Sequence, residues 1–182
     1  MPTPAAASAP DLRYPIGKPA RKSTLTAAER RTAIDAMAAM PAQLRTAVRG
    51  LSDAQLDTPY RPGGWTVRQL VHHVADSHMN AFIRFRLALT ENHPTIKPYD
   101  EAEWAKLSDA TMPVDVSLDL LDRLHQRMVH LLRSLGDKDF QRTLNHPENG
   151  SMTVDAVLDL YAWHGRHHTA HATSLRERSK WS

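Results

Sequence analysis

The chain has 182 residues, a net charge of +3 with histidine counted as neutral, and no cysteine. This length suits one domain with a proper core and is short for two. The absence of cysteine excludes disulfides, thiolate nucleophiles and cysteine-based zinc sites, and it agrees with a reducing compartment. No apolar run reaches the roughly 18 residues of a membrane span, and the N-terminus lacks an apolar signal segment, so we expect a soluble, cytoplasmic protein.

The positive charge is concentrated near the N-terminus. Residues 1–50 contain eight Lys or Arg against three Asp or Glu, whereas the remaining residues contain fifteen against seventeen. A nucleic-acid surface usually carries a basic stripe with interleaved aromatic side chains, and none is apparent in this sequence. We therefore expect a small-molecule substrate and no nucleic-acid partner.

Residues 1–13 are predicted to form a flexible tail, and residues 14–182 a single domain. The first helix is expected to begin at Thr26, because the sequence TAAE is a capping box, and to reach about Gly50. Pro41 lies inside this helix and is predicted to break or kink it.

Apolar periodicity and capping residues predict three further long helices. They run from Thr66 to about Glu91, from Pro113 to Gly136, and from Thr153 to about Arg178. Short helical segments are predicted at 52–56 and near 101–105, and a turn-rich loop at 146–152. The core stripe predicted for the third long helix is Val116, Leu120, Leu124, Leu131 and Leu135. Four amphipathic helices of similar length predict an all-α four-helix bundle.

The fourth long helix carries imidazoles where a core stripe would carry Leu or Val. The stripe reads Val157, Tyr161, His164, His168, His171 and Leu175. Each neutral imidazole needs a donor and an acceptor when buried, so three in a row are costly unless they share a partner. A divalent metal ion is such a partner, and the i, i+4 spacing of His164 and His168 is that of the zinc-binding pair in HExxH helices. His167 lies on the flank of the stripe and is a weaker candidate.

A third ligand is expected from the second long helix. His73 borders its apolar stripe and His78 continues it, whereas His72 falls on the flank; periodicity does not choose between His73 and His78. Three histidines leave a coordination position for water, which is typical of a catalytic metal site. Asp76 is placed to orient an imidazole, although a solvated charge is the simpler interpretation.

The segments YPIGKP, GGWTVRQLVHHVADSHMNAFIRFRLALTENHPTIKPYDEAEWA, HPENGSMT and LYAWHGRHHTAH resemble the YfiT-type proteins of the DinB/YfiT superfamily. The resemblance implies an up-down-down-up bundle, a homodimer, and one divalent metal ion per chain held by three histidines. The pattern Trp-x7-His followed by His-x3-His falls on Trp65 and His73 and then on His164 and His168. It also implies that His171 lies beside the ligands or faces the substrate. Zinc is the ion that we expect, with nickel as the alternative.

Three functions are compatible with this site. The first is a metal-dependent hydrolase that activates water. The second is a metal-dependent S-transferase that activates a low-molecular-weight thiol, as relatives in the wider superfamily do. The third is a helical dimer with a metal ion and no catalysis. Hydrolysis is the function that we favour from the sequence.

Overall fold

The computed structural model describes residues 11–181, and four long helices dominate this range. The elements are α1 (Ala27–Val48), α2 (Asp53–Leu56), α3 (Val67–Thr90), α4 (Glu101–Trp104), a 3-10 turn (Ser108–Thr111), α5 (Val114–Arg133), α6 (Asp137–Phe140), β1 (Thr143–His146), β2 (Gly150–Thr153) and α7 (Val154–Ser179). Within the described range, no helix is long and apolar enough to cross a membrane.

Contacts between the long helices fix their directions. Helices α1 and α7 run parallel, α3 and α5 run parallel, and the two pairs are antiparallel to each other. The contacts are Arg30–Asp155 and Ala47–Arg176 between α1 and α7, His72–Ser117 and His78–His125 between α3 and α5, and His73–His168 and Arg84–Tyr161 between α3 and α7. The bundle is therefore connected up-down-down-up, and this prediction is confirmed.

Capping residues start three of the long helices where the sequence predicts. Thr26 and Thr66 form capping boxes with Glu29 and Gln69, and the Thr153 side chain accepts a hydrogen bond from the backbone of Ala156. These bonds satisfy amide groups that have no partner inside the helix. Of the break or kink predicted at Pro41, the break does not occur, because α1 continues through Pro41 to Val48.

Two further predictions are corrected. Residues 146–152 are not only a loop, because Thr143–His146 and Gly150–Thr153 pair as an antiparallel hairpin. The core stripe predicted for the third long helix is wrong in its first half, because Val116 and Leu120 are 50% and 41% exposed. Its second half is partly right, because Leu124, Leu131 and Leu135 are partly buried and pack against the core. The residues that α5 buries are Val114, Ser117, Leu118, Leu121, His125, Met128, Val129 and Leu132.

The first ten residues of the predicted flexible tail lie outside the described range. From Asp11 onward the chain turns and contacts α7. The indole of Trp163 donates a hydrogen bond to the Gly17 carbonyl at 3.1 Å, and the His171 ring bonds to the Arg13 carbonyl at 3.3 Å. This segment therefore covers part of the histidine-rich face of α7.

A buried ion pair joins the starts of α1 and α7. Asp155 is fully buried and accepts hydrogen bonds from the Arg30 side chain at 2.7 and 2.9 Å and from the Leu25 backbone at 3.0 Å. Arg30 is itself only 8% exposed. The carboxylate thus satisfies a buried guanidinium and holds the segment before α1 against α7.

Replacing Asp155 by alanine is expected to lower the free energy of unfolding by about 3 kcal/mol, because the buried Arg30 charge would lose its buried partner and keep only the exposed Asp137. Urea denaturation measures this loss. Asp35→Ala removes an exposed pair with Arg133 and serves as the control, with an expected change of about 1 kcal/mol or less. Equal small losses in both variants would contradict the structural role given to Asp155.

Candidate metal centre

One histidine of α3 and two of α7 converge inside the bundle. One ring nitrogen from each of His73, His164 and His168 lies within 4.8 Å of the others. The ring centroids are 5.4 Å apart for His73 and His164, 5.0 Å for His73 and His168, and 4.4 Å for His164 and His168. His73 and His168 are buried and His164 is half-buried. The antiparallel packing of α3 on α7 brings the third histidine to the pair.

Burial keeps these rings neutral. Desolvation lowers the pKa of His73 to about 4, and desolvation together with the neighbouring rings lowers the pKa of His164 and His168 well below the ordinary value. A neutral imidazole has a lone pair that a metal ion can use, and imidazole ligands suit zinc and nickel. The trio is therefore ready to bind an ion at neutral pH without first losing protons.

The structure distinguishes His73 from His72 and His78, the other two histidines of α3. Both ring nitrogens of His78 are engaged, with His164 at 3.2 Å and His125 at 2.9 Å. Both nitrogens of His72 are engaged as well, by the Ser117 hydroxyl and the Met112 carbonyl. Among the described contacts, the His73 ring makes no hydrogen bond. Of the three, His73 is therefore the ring free to bind an ion.

A second histidine trio shares His168 with the first. One ring nitrogen from each of His167, His168 and His171 lies within 4.8 Å of the others, and all three residues are buried. Their Nδ1 atoms are buried and have no hydrogen-bond partner among the described residues. His167, predicted to lie on the flank of the helix, is buried because it stacks on Trp163 and packs under Tyr14. This trio comes from one helix only, whereas the first joins two.

A small polar cavity adjoins the first trio. Its volume is about 40 Å³, which is enough for one water molecule. The cavity is lined by His73, Asp76, Tyr99 and Glu101 among others. Asp76 is half-buried rather than fully solvated, and burial followed by the charge of Asp109 raises its pKa to about 6. A carboxylate, a neutral imidazole and room for one water thus lie side by side.

Two further polar residues, His125 and Arg84, lie near the site, and only His125 is not predicted from the sequence. His125 lies on the buried face of α5, which the predicted stripe placed elsewhere, and burial lowers its pKa to about 4. Arg84 donates a hydrogen bond at 3.0 Å to the hydroxyl of Tyr161, a residue that sequence analysis placed only in the core stripe. The guanidinium is half-buried, so it puts a partly shielded positive charge beside the Tyr161 hydroxyl.

Known proteins share this chain's length and fold. Proteins from Bacillus mycoides and Bacillus cereus, both named "Putative metal-dependent hydrolase", are 57% identical over 171 residues, which is 94% of this chain and 99% of theirs. YfiT from Bacillus subtilis, described as a probable metal-dependent hydrolase with an unusual four-helix bundle topology, is 47% identical with a TM-score of 0.91. The alignment with YfiT covers 94% of this chain and 99% of that structure.

A more distant structure, the four-helix bundle protein TT2238, is 21% identical with a TM-score of 0.54. It covers 77% of this chain and 94% of its own length, and it supports the fold alone. The sequence pattern of the DinB superfamily matches residues 36–172. This match contains all three histidines of the first trio and most of the four-helix bundle. Together with the relatives that align along nearly their whole length, it shows that the chain belongs to the DinB superfamily.

Proposed function

We propose that the protein is a metal-dependent hydrolase whose divalent ion is held by His73, His164 and His168. The observation that carries the proposal is the convergence of three neutral ring nitrogens within 4.8 Å, from two helices, beside a cavity with room for one water. The names of the relatives agree with it. When bound, an ion with three protein ligands supplies Lewis acidity that makes water a nucleophile near neutral pH. We propose zinc, or else nickel, because both accept imidazole ligands.

The residues around the cavity suggest how the chain assists hydrolysis. Asp76 is the carboxylate that shares the cavity with His73 and is partly shielded from solvent, so we assign it the role of accepting the proton of the attacking water. Arg84, held by the Tyr161 hydroxyl, supplies a cation that can attract a negatively charged part of a substrate.

We also propose the homodimer that the resemblance implies. It is supported by exposed apolar residues on α3 and α5, namely Ile83, Val116 and Leu120.

Hydrolysis of ester and amide substrates should require the ion and should depend on Asp76. Asp76→Asn is expected to lower kcat by about 10²–10⁴-fold, the usual contribution of a general base, while one equivalent of metal stays bound. Steady-state kinetics and metal analysis of the same sample measure both effects. Glu91→Gln, a change at an exposed carboxylate directly after the same helix and outside the cavity, is the matched control and should keep kcat within a few-fold.

The same assay separates hydrolysis from thiol transfer. Each substrate is tested with and without a small thiol and an electrophile, before and after chelation. Turnover that appears only when the thiol is present would overturn the hydrolase and favour an S-transferase. Turnover that persists after the ion has been removed would overturn both.

A further inference from the structure

A line of three histidines runs from the candidate metal centre into the core between α1 and α5. The Nδ1 atom of His164 lies 3.2 Å from Nε2 of His78, and Nδ1 of His78 lies 2.9 Å from Nε2 of His125. The line ends where Nδ1 of His125 meets the backbone carbonyl of Met37 at 2.7 Å. His78 and His125 are 0% and 2% exposed, so water does not compete for these bonds.

The Met37 carbonyl is available because of Pro41. In an α-helix the carbonyl of residue i accepts a hydrogen bond from the amide of residue i+4, and proline has no amide hydrogen to donate. Helix α1 nevertheless continues through Pro41, which leaves the Met37 carbonyl without its usual donor. His125 of the neighbouring helix supplies that donor. A proline that the sequence predicts to break or kink the helix thus creates an acceptor inside the bundle.

This acceptor determines which nitrogen of each ring carries the hydrogen. A carbonyl oxygen only accepts, so Nδ1 of His125 must be protonated. The ring is neutral because it is buried, and Nε2 therefore keeps a lone pair that accepts from Nδ1–H of His78. The same reasoning gives His78 a lone pair on Nε2, which accepts from Nδ1–H of His164. Among the described residues, no carboxylate hydrogen-bonds to any of the three rings.

We propose that His125 and His78 are positioning residues that fix the tautomer of His164, so that its Nε2 lone pair is the atom offered to the ion. This inference rests on the proposed metal site and extends it from the ligands to the Met37 carbonyl. The Ser77 hydroxyl lies 3.5 Å from Nε2 of His164, where it can donate to that lone pair in the metal-free protein. Bonds of this kind orient ligating histidines in metal sites generally.

The direct test is long-range proton–nitrogen NMR of the metal-free, full-length protein at pH 7, with each histidine assigned by substitution. The expected spectrum shows His125, His78 and His164 all protonated on Nδ1. A proton on Nε2 of His78 or His164 would overturn the inference. The measurement needs no metal, so it also separates failure of this inference from failure of the proposed function, which would appear as an inability to bind an ion.

A set of variants tests the consequence for metal affinity. His125→Leu removes the link to the Met37 carbonyl and is expected to weaken zinc binding by about 10–100-fold, the usual effect of losing a bond that orients a ligand. His125→Gln should recover part of this affinity, because its amide can both donate and accept. His130→Leu, at an exposed position of the same helix, is the control and should bind zinc normally. Unchanged affinity in folded His125→Leu would overturn the positioning role.

Discussion

Replacing His73 by alanine is expected to abolish stoichiometric metal binding, whereas replacing His171 by alanine is expected to preserve it. His73 belongs only to the trio that joins α3 to α7, and His171 belongs only to the trio confined to α7. Two imidazoles bind a divalent ion far more weakly than three, so loss of any one ligand of the trio that holds the ion empties the site. His168→Ala should abolish binding as well, since both trios contain it.

Equilibrium dialysis against zinc or nickel, followed by elemental analysis, measures this difference. Far-ultraviolet circular dichroism of each variant shows that the helices are retained. The reverse pattern, with metal bound by His73→Ala and lost by His171→Ala, would place the ion in the second trio. It would contradict the ligand set proposed here.

The metal-free protein is expected to lose stability steeply as the pH falls from about 6.5 to about 4. Burial lowers the pKa of four buried histidines to about 4, namely His73, His125, His167 and His171. The unfolded chain binds protons to these rings near pH 6.5 while the folded chain does not. Each such ring therefore removes up to about 1.4 kcal/mol of stability per pH unit within this window. His78, His164 and His168, with a pKa well below the ordinary value, act in the same direction.

Two carboxyl groups, Asp76 and Glu101, act in the opposite direction in this window. Desolvation raises the pKa of Asp76 to about 6 and also raises the pKa of Glu101, so the folded chain takes up these protons before the unfolded chain does, and this stabilises the fold slightly on acidification. The histidines outnumber these two carboxyl groups, so the net effect is a loss. Urea denaturation at pH 7, 6 and 5 in the presence of a chelator measures this loss of stability. The stability of the His125→Leu variant should depend less steeply on pH. The same unfolding midpoint at pH 7 and pH 5 would contradict the neutral, buried state of these rings.

The features that depend on local spacing could be predicted from the sequence. The capping boxes at Thr26 and Thr66 require only four consecutive residues each. The pairing of His164 with His168 requires only the pitch of one helix. Periodicity does not choose between His73 and His78, and the resemblance to the DinB/YfiT proteins implies His73. The structure adds a physical reason, because both ring nitrogens of His78 are engaged by other helices.

The features that were missed depend on contacts between distant segments. The burial of His125 is not predicted from the sequence, because α5 also has an exposed apolar face, with Val116 and Leu120, whose spacing resembles that of a core stripe. The burial of His167 depends on Tyr14, which lies more than 150 positions earlier in the chain. The effect of Pro41 could not be foreseen either, since the donor that satisfies the Met37 carbonyl comes from another helix.

The most direct test of the metal centre is the metal content of the purified protein without a histidine tag, combined with thermal unfolding before and after chelation. We expect one equivalent of zinc or nickel per chain. We also expect a lower unfolding temperature once the ion is removed, because an ion at 100 times its dissociation constant stabilises the fold by about 2.7 kcal/mol. A metal content no higher than trace, with an unfolding temperature that does not change when zinc or nickel is added, would contradict the proposed metal centre.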